Sequence, residues 1–188
     1  MTLTAGFANP VADAQSCFRA VLDTMARPGR VHLVAGVPAP FPLCDAAAAV
    51  LLTLADHETP LWLDADAEAA GGWIAFHTGA SIVTADRSAF GMALTLPDLT
   101  AFPNGTDEMP ETAATIILQV ASLEAGSRFV LAGPGLRVPA ILTVTGLPAD
   151  FAAIWQRNHC LFPRGIDLIL CSGGHLTALP RSVSIKDA

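Results

Sequence analysis

The sequence predicts one α/β domain, with a mixed β-sheet flanked by helices in three layers. Three observations lead there. Segments with apolar residues at three- and four-residue spacing alternate with short β-branched runs. Two pairs of such runs are separated only by glycine-containing turns, which demands antiparallel neighbours inside the sheet. Across all 188 residues no change of composition, repeat or low-complexity block marks a boundary, so residues 1–188 read as a single domain.

The elements follow in order. Val11 to Ala26 is an amphipathic helix, with Ala14, Cys17, Phe18, Val21, Leu22 and Met25 on its apolar face. Arg27-Pro28-Gly29 ends it, because proline lacks the helix donor and glycine supplies a left-handed exit. Val31 to Val37 reads as a strand. Asp45 is the expected N-cap of an apolar helix over Ala46 to Ala55. Pro60 opens a strand over Leu61-Trp62-Leu63, and Trp73 to His77 and Ser81 to Thr84 read as two more strands. Short helices are expected on either side of Pro97 within Ser88 to Phe102, then a loop at Pro103-Asn104-Gly105. Thr115 to Val120 is β-branched and apolar and reads as a central strand. Glu124 to Ser127 is expected to turn it back into Arg128-Phe129-Val130-Leu131. Pro148 opens a last helix that reaches His159. A closing hairpin runs from Phe162 through Leu170 and a Gly-Gly turn to Pro180-Arg181.

Composition narrows the function. Only 14% of residues are charged while 52% are hydrophobic, so part of the apolar surface is expected to meet another protein. The net charge of -7 offers no basic stripe for nucleic acid or an anionic membrane. Asp45, Asp56 and Pro60 interrupt the best apolar run, so no membrane span is expected, and the opening residues lack signal-peptide character. The chain is read as cytoplasmic. Its four cysteines, Cys17, Cys44, Cys160 and Cys171, form no CxxC pair and are expected to be reduced small hydrophobes, with no metal.

Few motifs carry chemistry. Leu131-Ala132-Gly133-Pro134-Gly135-Leu136 follows a strand as phosphate loops do, but lacks the P-loop lysine and hydroxyl, so it reads as a turn. There is no GxSxG and no HExxH. Asp56-His57-Glu58 reads as a solvated helix end. The anion-binding candidates are Arg19, Arg27 and Arg181, with His77 at an expected strand end and Glu111 in a loop. Arginine forms bidentate pairs with phosphate oxygens, and Arg19 stands about two helical turns before Arg27. Arg27 and Arg30 also suit a helix C-terminus on dipole grounds. Lys186 is the only lysine, two residues from the end of the chain. Pyridoxal phosphate enzymes need an active-site lysine, so no such cofactor is expected.

An ordered series of blocks carries a resemblance. It runs from Phe18-Arg19 and Met25-Ala26-Arg27-Pro28-Gly29 to Leu51 to Asp56, Thr59 to Leu63 and Phe76-His77-Thr78. It continues through Gly105-Thr106, Pro110-Glu111, Ala114 to Val120, Gly133 to Leu136, Phe162-Pro163, Gly165 to Leu170 and Pro180-Arg181. Together these resemble the H subunit of the bacterial carbon-phosphorus lyase core complex. Asp64 to Gly72 and Asp86 to Phe102 match little.

The resemblance implies a fold related to the large domain of pyridoxal-phosphate-dependent transferases, without the cofactor. It implies a homodimer in isolation and a place among sibling subunits G, I and J. With an L subunit, that machinery forms a ribose 1-phosphonate 5-triphosphate from ATP and a phosphonate, releasing adenine; a radical subunit later cleaves the carbon-phosphorus bond. The resemblance carries over no catalytic residue and no stand-alone activity. The chain is thus read as an assembly subunit. The alternative is that Arg19, Arg27, His77, Glu111 or Arg181 holds phosphate or phosphonate at the transferase site.

Overall fold

Capping and burial set the first helix, α1 (Pro10–Ala26). Asn9 accepts a hydrogen bond from the Ala12 N–H at its side chain, and its own N–H donates to the Asp13 carboxylate at 2.8 Å. Cys17, Ala20, Val21 and Thr24 form its buried face. The computed structural model describes residues 4–34 and 36–188. Strand β1 (His32–Leu33) is shorter than the expected Val31 to Val37, of which Ala35 lies outside the described residues. Pro38, Pro40 and Pro42 follow and supply no ladder donors, so pairing ends early.

Helix α2 (Asp45–Leu54) buries six consecutive residues, Ala46 to Leu51. Cys44, not Asp45, occupies its N-cap position, where the Gln119 side chain accepts the Cys44 N–H at 2.7 Å. After strand β2 (Leu61–Leu63), a 3-10 turn over Ala65–Ala70 leads into α3 (Gly71–Thr78). The strand expected at Trp73 to His77 is therefore a helix. Four apolar residues followed by a histidine have no decisive period, and the alanine-rich turn before them continues into the helix. Gly79, at φ 74°, ends the helix in the left-handed conformation. The strand expected at Ser81 to Thr84 is reduced to one bridge, Ile82 to Leu61.

Strand β3 (Phe90–Ala93) replaces the helix expected before Pro97, and only Leu99–Ala101 after it makes a 3-10 turn. Then come β4 (Thr115–Gln119), β5 (Ser122–Ala132), β6 (Ala140–Thr145), α4 (Phe151–His159), β7 (Asp167–Ser172), β8 (His175–Leu179) and β9 (Ser184–Asp187). The expected β4–β5 hairpin does not form. Residues Glu124 to Ser127 lie within β5 as a bulge, and β5 pairs antiparallel with β6 and β9. The closing hairpin does form, as β7–β8, with Ser172 opposite His175.

A six-stranded sheet runs in the order β1-β8-β7-β4-β3-β2, and a three-stranded sheet in the order β6-β5-β9. Strands β2, β3, β4 and β7 are parallel, while β8 is antiparallel to both neighbours. The period-two alternation of a strand divides the core. Ile117, Ile169 and Cys171 face α1, α2 and α3. Ile116, Leu118, Leu168 and Leu170 face α4 and the small sheet, which supplies Phe129, Leu131 and Leu142. The layering is thus mixed α/β, with the second face covered by a sheet as well as a helix.

One buried hydroxyl finds no partner among the described residues, that of Thr177 on β8. An unpaired buried polar group costs about 1–3 kcal/mol, and valine has nearly the same shape. Thr177→Val is expected to raise the urea midpoint without changing the slope; a lower midpoint would mean that the hydroxyl is satisfied.

Candidate functional site

In open α/β sheets, ligands gather outside the carboxyl ends of parallel strands where the strand order reverses. Here β2, β3, β4 and β7 lie side by side in chain order, without such a reversal. Their carboxyl ends are occupied by structural hydrogen bonds. After β2, Asp64 accepts the N–H groups of Asp66, Leu94 and Thr95. At the end of β4, Gln119 accepts from Cys44 and donates to the Pro42 carbonyl at 3.0 Å. Ser172 at the end of β7 donates to the Ala121 carbonyl at 3.1 Å.

The five residues singled out from sequence are spread over four places. Arg181 lies at the start of β7, mostly buried. Its Nε donates to both Asp167 carboxylate oxygens at 3.1 Å, its Nη2 also reaches that carboxylate, and its Nη1 donates to the Pro110 carbonyl at 2.7 Å. The Arg181 N–H adds a 2.7 Å bond to Asp167, and its carbonyl lies 2.9 Å from His159 Nδ1. Every guanidinium nitrogen has a partner, and together they hold β7, the chain after β8 and the Pro110–Thr112 turn. Glu111 is on that turn, exposed.

His77 is in the last turn of α3, and not on a strand end. Its Nε2 lies 3.1 Å from the Thr4 carbonyl, and its ring packs on Trp73 with centroids 4.6 Å apart. Trp73 Nε1 donates to the same carbonyl at 2.9 Å. The pair fastens the chain before α1 to α3. Arg19 is exposed on α1. Asp56 makes a tight turn by accepting from Glu58 N–H and from the Thr59 hydroxyl at 2.7 Å. The Thr59 bond chiefly, then the Glu58 N–H, holds its carboxyl below the usual range.

Arg27 belongs to a different cluster. Asp23, largely buried one turn earlier on α1, pairs with Arg27, with Arg30 at 3.4 Å and with His32 Nε2 at 2.8 Å. One carboxylate thus gathers three cationic or basic groups from the end of α1 and the start of β1. Asp23 is not among the residues that stand out in the sequence, although its i, i+4 spacing to Arg27 is a signal of the pair. Arg27 and Arg30 line a cavity of about 270 Å³ whose opposite wall is Gly135 to Ala140, including Arg137.

A second cavity of about 540 Å³ lies between α4 and the Leu96–Thr100 segment. Leu96, Pro97, Leu99, Ile154, Leu161 and Ile166 make it mainly apolar. Asp98 and Arg157 are at its rim, and the Asp98 carboxyl is held below its usual range first by the Thr100 hydroxyl, then by the Thr100 N–H and weakly by Arg157. Asn158 in its wall is consumed by both backbone groups of Ile166, at 2.8 Å each.

The thiols divide sharply. Cys171 is fully buried, and desolvation, reinforced by Cys44 and Cys17, pushes its thiol well up. Cys17 is buried and also raised, mainly by desolvation, whereas Cys160 is exposed. A charged thiol reagent should therefore modify Cys160 in the folded protein and reach Cys17 and Cys171 only after denaturation. Mass spectrometry of the native adduct checks this; early labelling of Cys171 would contradict the packing. Among the described residues no group of three His, Cys, Asp or Glu side chains has metal-site geometry, and no helix is long and apolar enough to cross a membrane.

Comparison with known proteins adds to this geometry. A family model described as "Bacterial phosphonate metabolism protein (PhnH)" matches residues 5–186. The chain is 39% identical over 187 residues to "Alpha-D-ribose 1-methylphosphonate 5-triphosphate synthase subunit PhnH" of Rhizobium meliloti (strain 1021), covering 96% of this chain and 94% of that protein. It is 30% identical over 184 residues to "Putative C-P lyase subunit protein HtxG" of Stutzerimonas stutzeri, covering 92% and 85% respectively.

Proposed function

The chain belongs to the PhnH family of bacterial phosphonate metabolism proteins, and from that premise we propose that it serves phosphonate catabolism as a subunit of the carbon-phosphorus lyase machinery. Its role there is to support the synthesis of a ribose 1-phosphonate 5-triphosphate, acting mainly through assembly with sibling subunits G, I and J. The match across nearly the whole chain carries this reading, since a shared fragment would transfer only a shared fold.

The side chains agree with an assembly role. At the strand ends where a catalytic group is expected, Asp64, Gln119 and Ser172 are spent on backbone partners. The surface, by contrast, has apolar area to cover. Phe18 and Leu22, expected on the apolar face with Cys17 and Val21, instead flank it and, with Val11 at i, i+7 and i+11 of α1, form one exposed stripe, with exposures of 70% for Val11, 46% for Phe18 and 51% for Leu22. A stripe of this kind is what a protein partner removes from water. A homodimer in isolation, a cytoplasmic location and a cofactor-free relative of the pyridoxal-phosphate transferase large domain complete the proposal.

Co-expression with the G, I and J subunits tests it. The chain should co-purify with them, and the complex, supplied with the L subunit, should release adenine from ATP and methylphosphonate while the isolated chain does not. Phe18→Ser with Leu22→Ser should weaken co-purification at least tenfold and leave the melting temperature within a few degrees, because neither side chain is in the core. Adenine release by the isolated chain would overturn the assembly role. Normal assembly of the double variant would remove the α1 stripe from the interface.

A further inference from the structure

The geometry points to a second property, a binding site for a small tetrahedral oxyanion between the end of α1 and the loop before β6, with Arg27, Arg30 and Arg137 as its ligands. Two separate segments build it. The turn after α1 brings Arg27-Pro28-Gly29-Arg30, and the loop between β5 and β6 brings Gly135 to Ala140. Three of the chain's ten Lys and Arg residues thus line one cavity, in a protein of net charge -7. No carboxylate lines it.

A helix C-terminus accounts for Arg27 and Arg30 by itself, since cations are favoured there. It does not account for Arg137. That residue comes from a loop more than a hundred positions away, and it makes no hydrogen bond or ion pair among the described residues. Asp23 pairs with both Arg27 and Arg30, and its single charge offsets only one of the two. An anion entering the cavity meets two exposed arginines paired with Asp23 on one wall and, on the other, an exposed arginine with no partner among the described residues. Planar guanidinium donors match the oxygens of a phosphoryl or phosphonyl group.

The walls are set by backbone. Gly135, at φ 84°, packs so closely on the last turn of α1 that an added Cβ would overlap the Ala26 carbonyl. Gly29, at φ 88°, lies against Ala140, where a Cβ would come within 3.1 Å. The volume of about 270 Å³ is below the 300–1,000 Å³ of cavities that take a whole drug-sized ligand. It suits a single phosphate or a small alkyl phosphonate. Of the lining, Arg27 to Gly29 and Gly135-Leu136 belong to blocks on which the family resemblance rests, while Arg30 and Arg137 lie just beyond them. The oxyanion site stands on this geometry alone; its assignment to phosphonate rests on the proposed function.

Titration of the isolated full-length chain with methylphosphonate, and separately with inorganic phosphate, followed by phosphorus-31 line broadening and calorimetry, tests the site. Saturable binding of both is expected. Arg137→Gln should weaken it about tenfold, the effect of losing one charge-assisted contact, with an unchanged melting temperature. Arg164→Gln, which removes an exposed pair with Asp107 elsewhere, should leave binding unchanged. No saturation below about 10 mM with either anion, or equal affinity in Arg137→Gln, would overturn the site. So would a chain that binds neither anion but loses co-purification on Arg137→Gln, since the arginines then hold a partner's carboxylate. Binding of phosphate without methylphosphonate would overturn the phosphonate assignment and leave subunit membership, read by co-purification, untouched.

Discussion

Arg181→Met is expected to destabilise the fold by about 3–5 kcal/mol, the range for removing one partner of a buried ion pair. The Arg181 and Asp167 side chains are only 13% and 18% exposed. Asp167 accepts from the Arg181 side chain and from the Arg181 N–H, so the loss strands a carboxylate that then has only one backbone donor. The Pro110 carbonyl keeps only the Ala113 N–H at 3.2 Å, so the turn carrying Glu111 loses its tie to the chain after β8. Arg181→Lys should recover little, because one ammonium cannot reproduce a fork spanning two carboxylate oxygens and a carbonyl. The informative partner is the double change Arg181→Met with Asp167→Leu. Replacing a buried pair by apolar groups of similar volume is often close to neutral. The double variant should therefore be more stable than Arg181→Met alone, by urea unfolding at equal slope. If both are equally stable, Asp167 is solvated and the pair contributes little. The same experiment separates structure from chemistry at a residue that sequence alone offers as an anion ligand. A complex assembled with a folded Arg181 variant should still transfer phosphonate.

What was legible in the sequence followed from period and punctuation. The helix expected over Val11 to Ala26 and found at Pro10–Ala26 was clear because its seventeen residues give several turns of amphipathic period and Arg27-Pro28-Gly29 ends it. The β7–β8 hairpin was clear because β-branched and leucine runs flank Gly173-Gly174. Trp73 to His77 was not, since four apolar residues and a histidine suit either state and only the burial of Trp73 and Ile74 decides. The false β4–β5 hairpin had a different cause. Ser122 to Ala132 contains Gly126 and looks like a turn between two strands, whereas it is one bulged strand of a second sheet, the chain having changed sheets after β4. Because β6 and β9 pair only with that strand, missing the change of sheet hid the second sheet altogether.

For the site, arginine identities were legible and their commitments were not. Nothing in the sequence pairs Asp167 with Arg181, fourteen residues on, or sets Arg137 opposite Arg27. Those are products of the β7–β8 hairpin and of the β5–β6 loop. The residue types pointed to anion chemistry; the fold then spent Arg181 on structure and left Arg137 free.

Gly135→Ala should produce the other large loss, and it links fold to site. A left-handed backbone costs an L-residue about 1–2 kcal/mol. Overlap with packed atoms adds typically 1–3 kcal/mol. Both apply at Gly135, whose φ is 84° and whose Cβ would overlap the Ala26 carbonyl oxygen and come within 3.0 Å of its carbon. The neighbour is helix backbone, which cannot rotate aside as a side chain can. A total of roughly 2–5 kcal/mol is expected from those two costs. Gly173→Ala supplies the control. Its φ is 54° and no atom lies within 4 Å of the added Cβ, so only the conformational cost remains. The difference between the two variants, by urea unfolding, measures the steric contribution alone. Equal losses would show that the loop moves freely against α1. If the loop is seated as described, any Gly135→Ala protein that still folds must displace it outward, carrying Arg137 away from Arg27 and Arg30. Phosphate binding should then fall together with stability, whereas Gly173→Ala should leave binding intact.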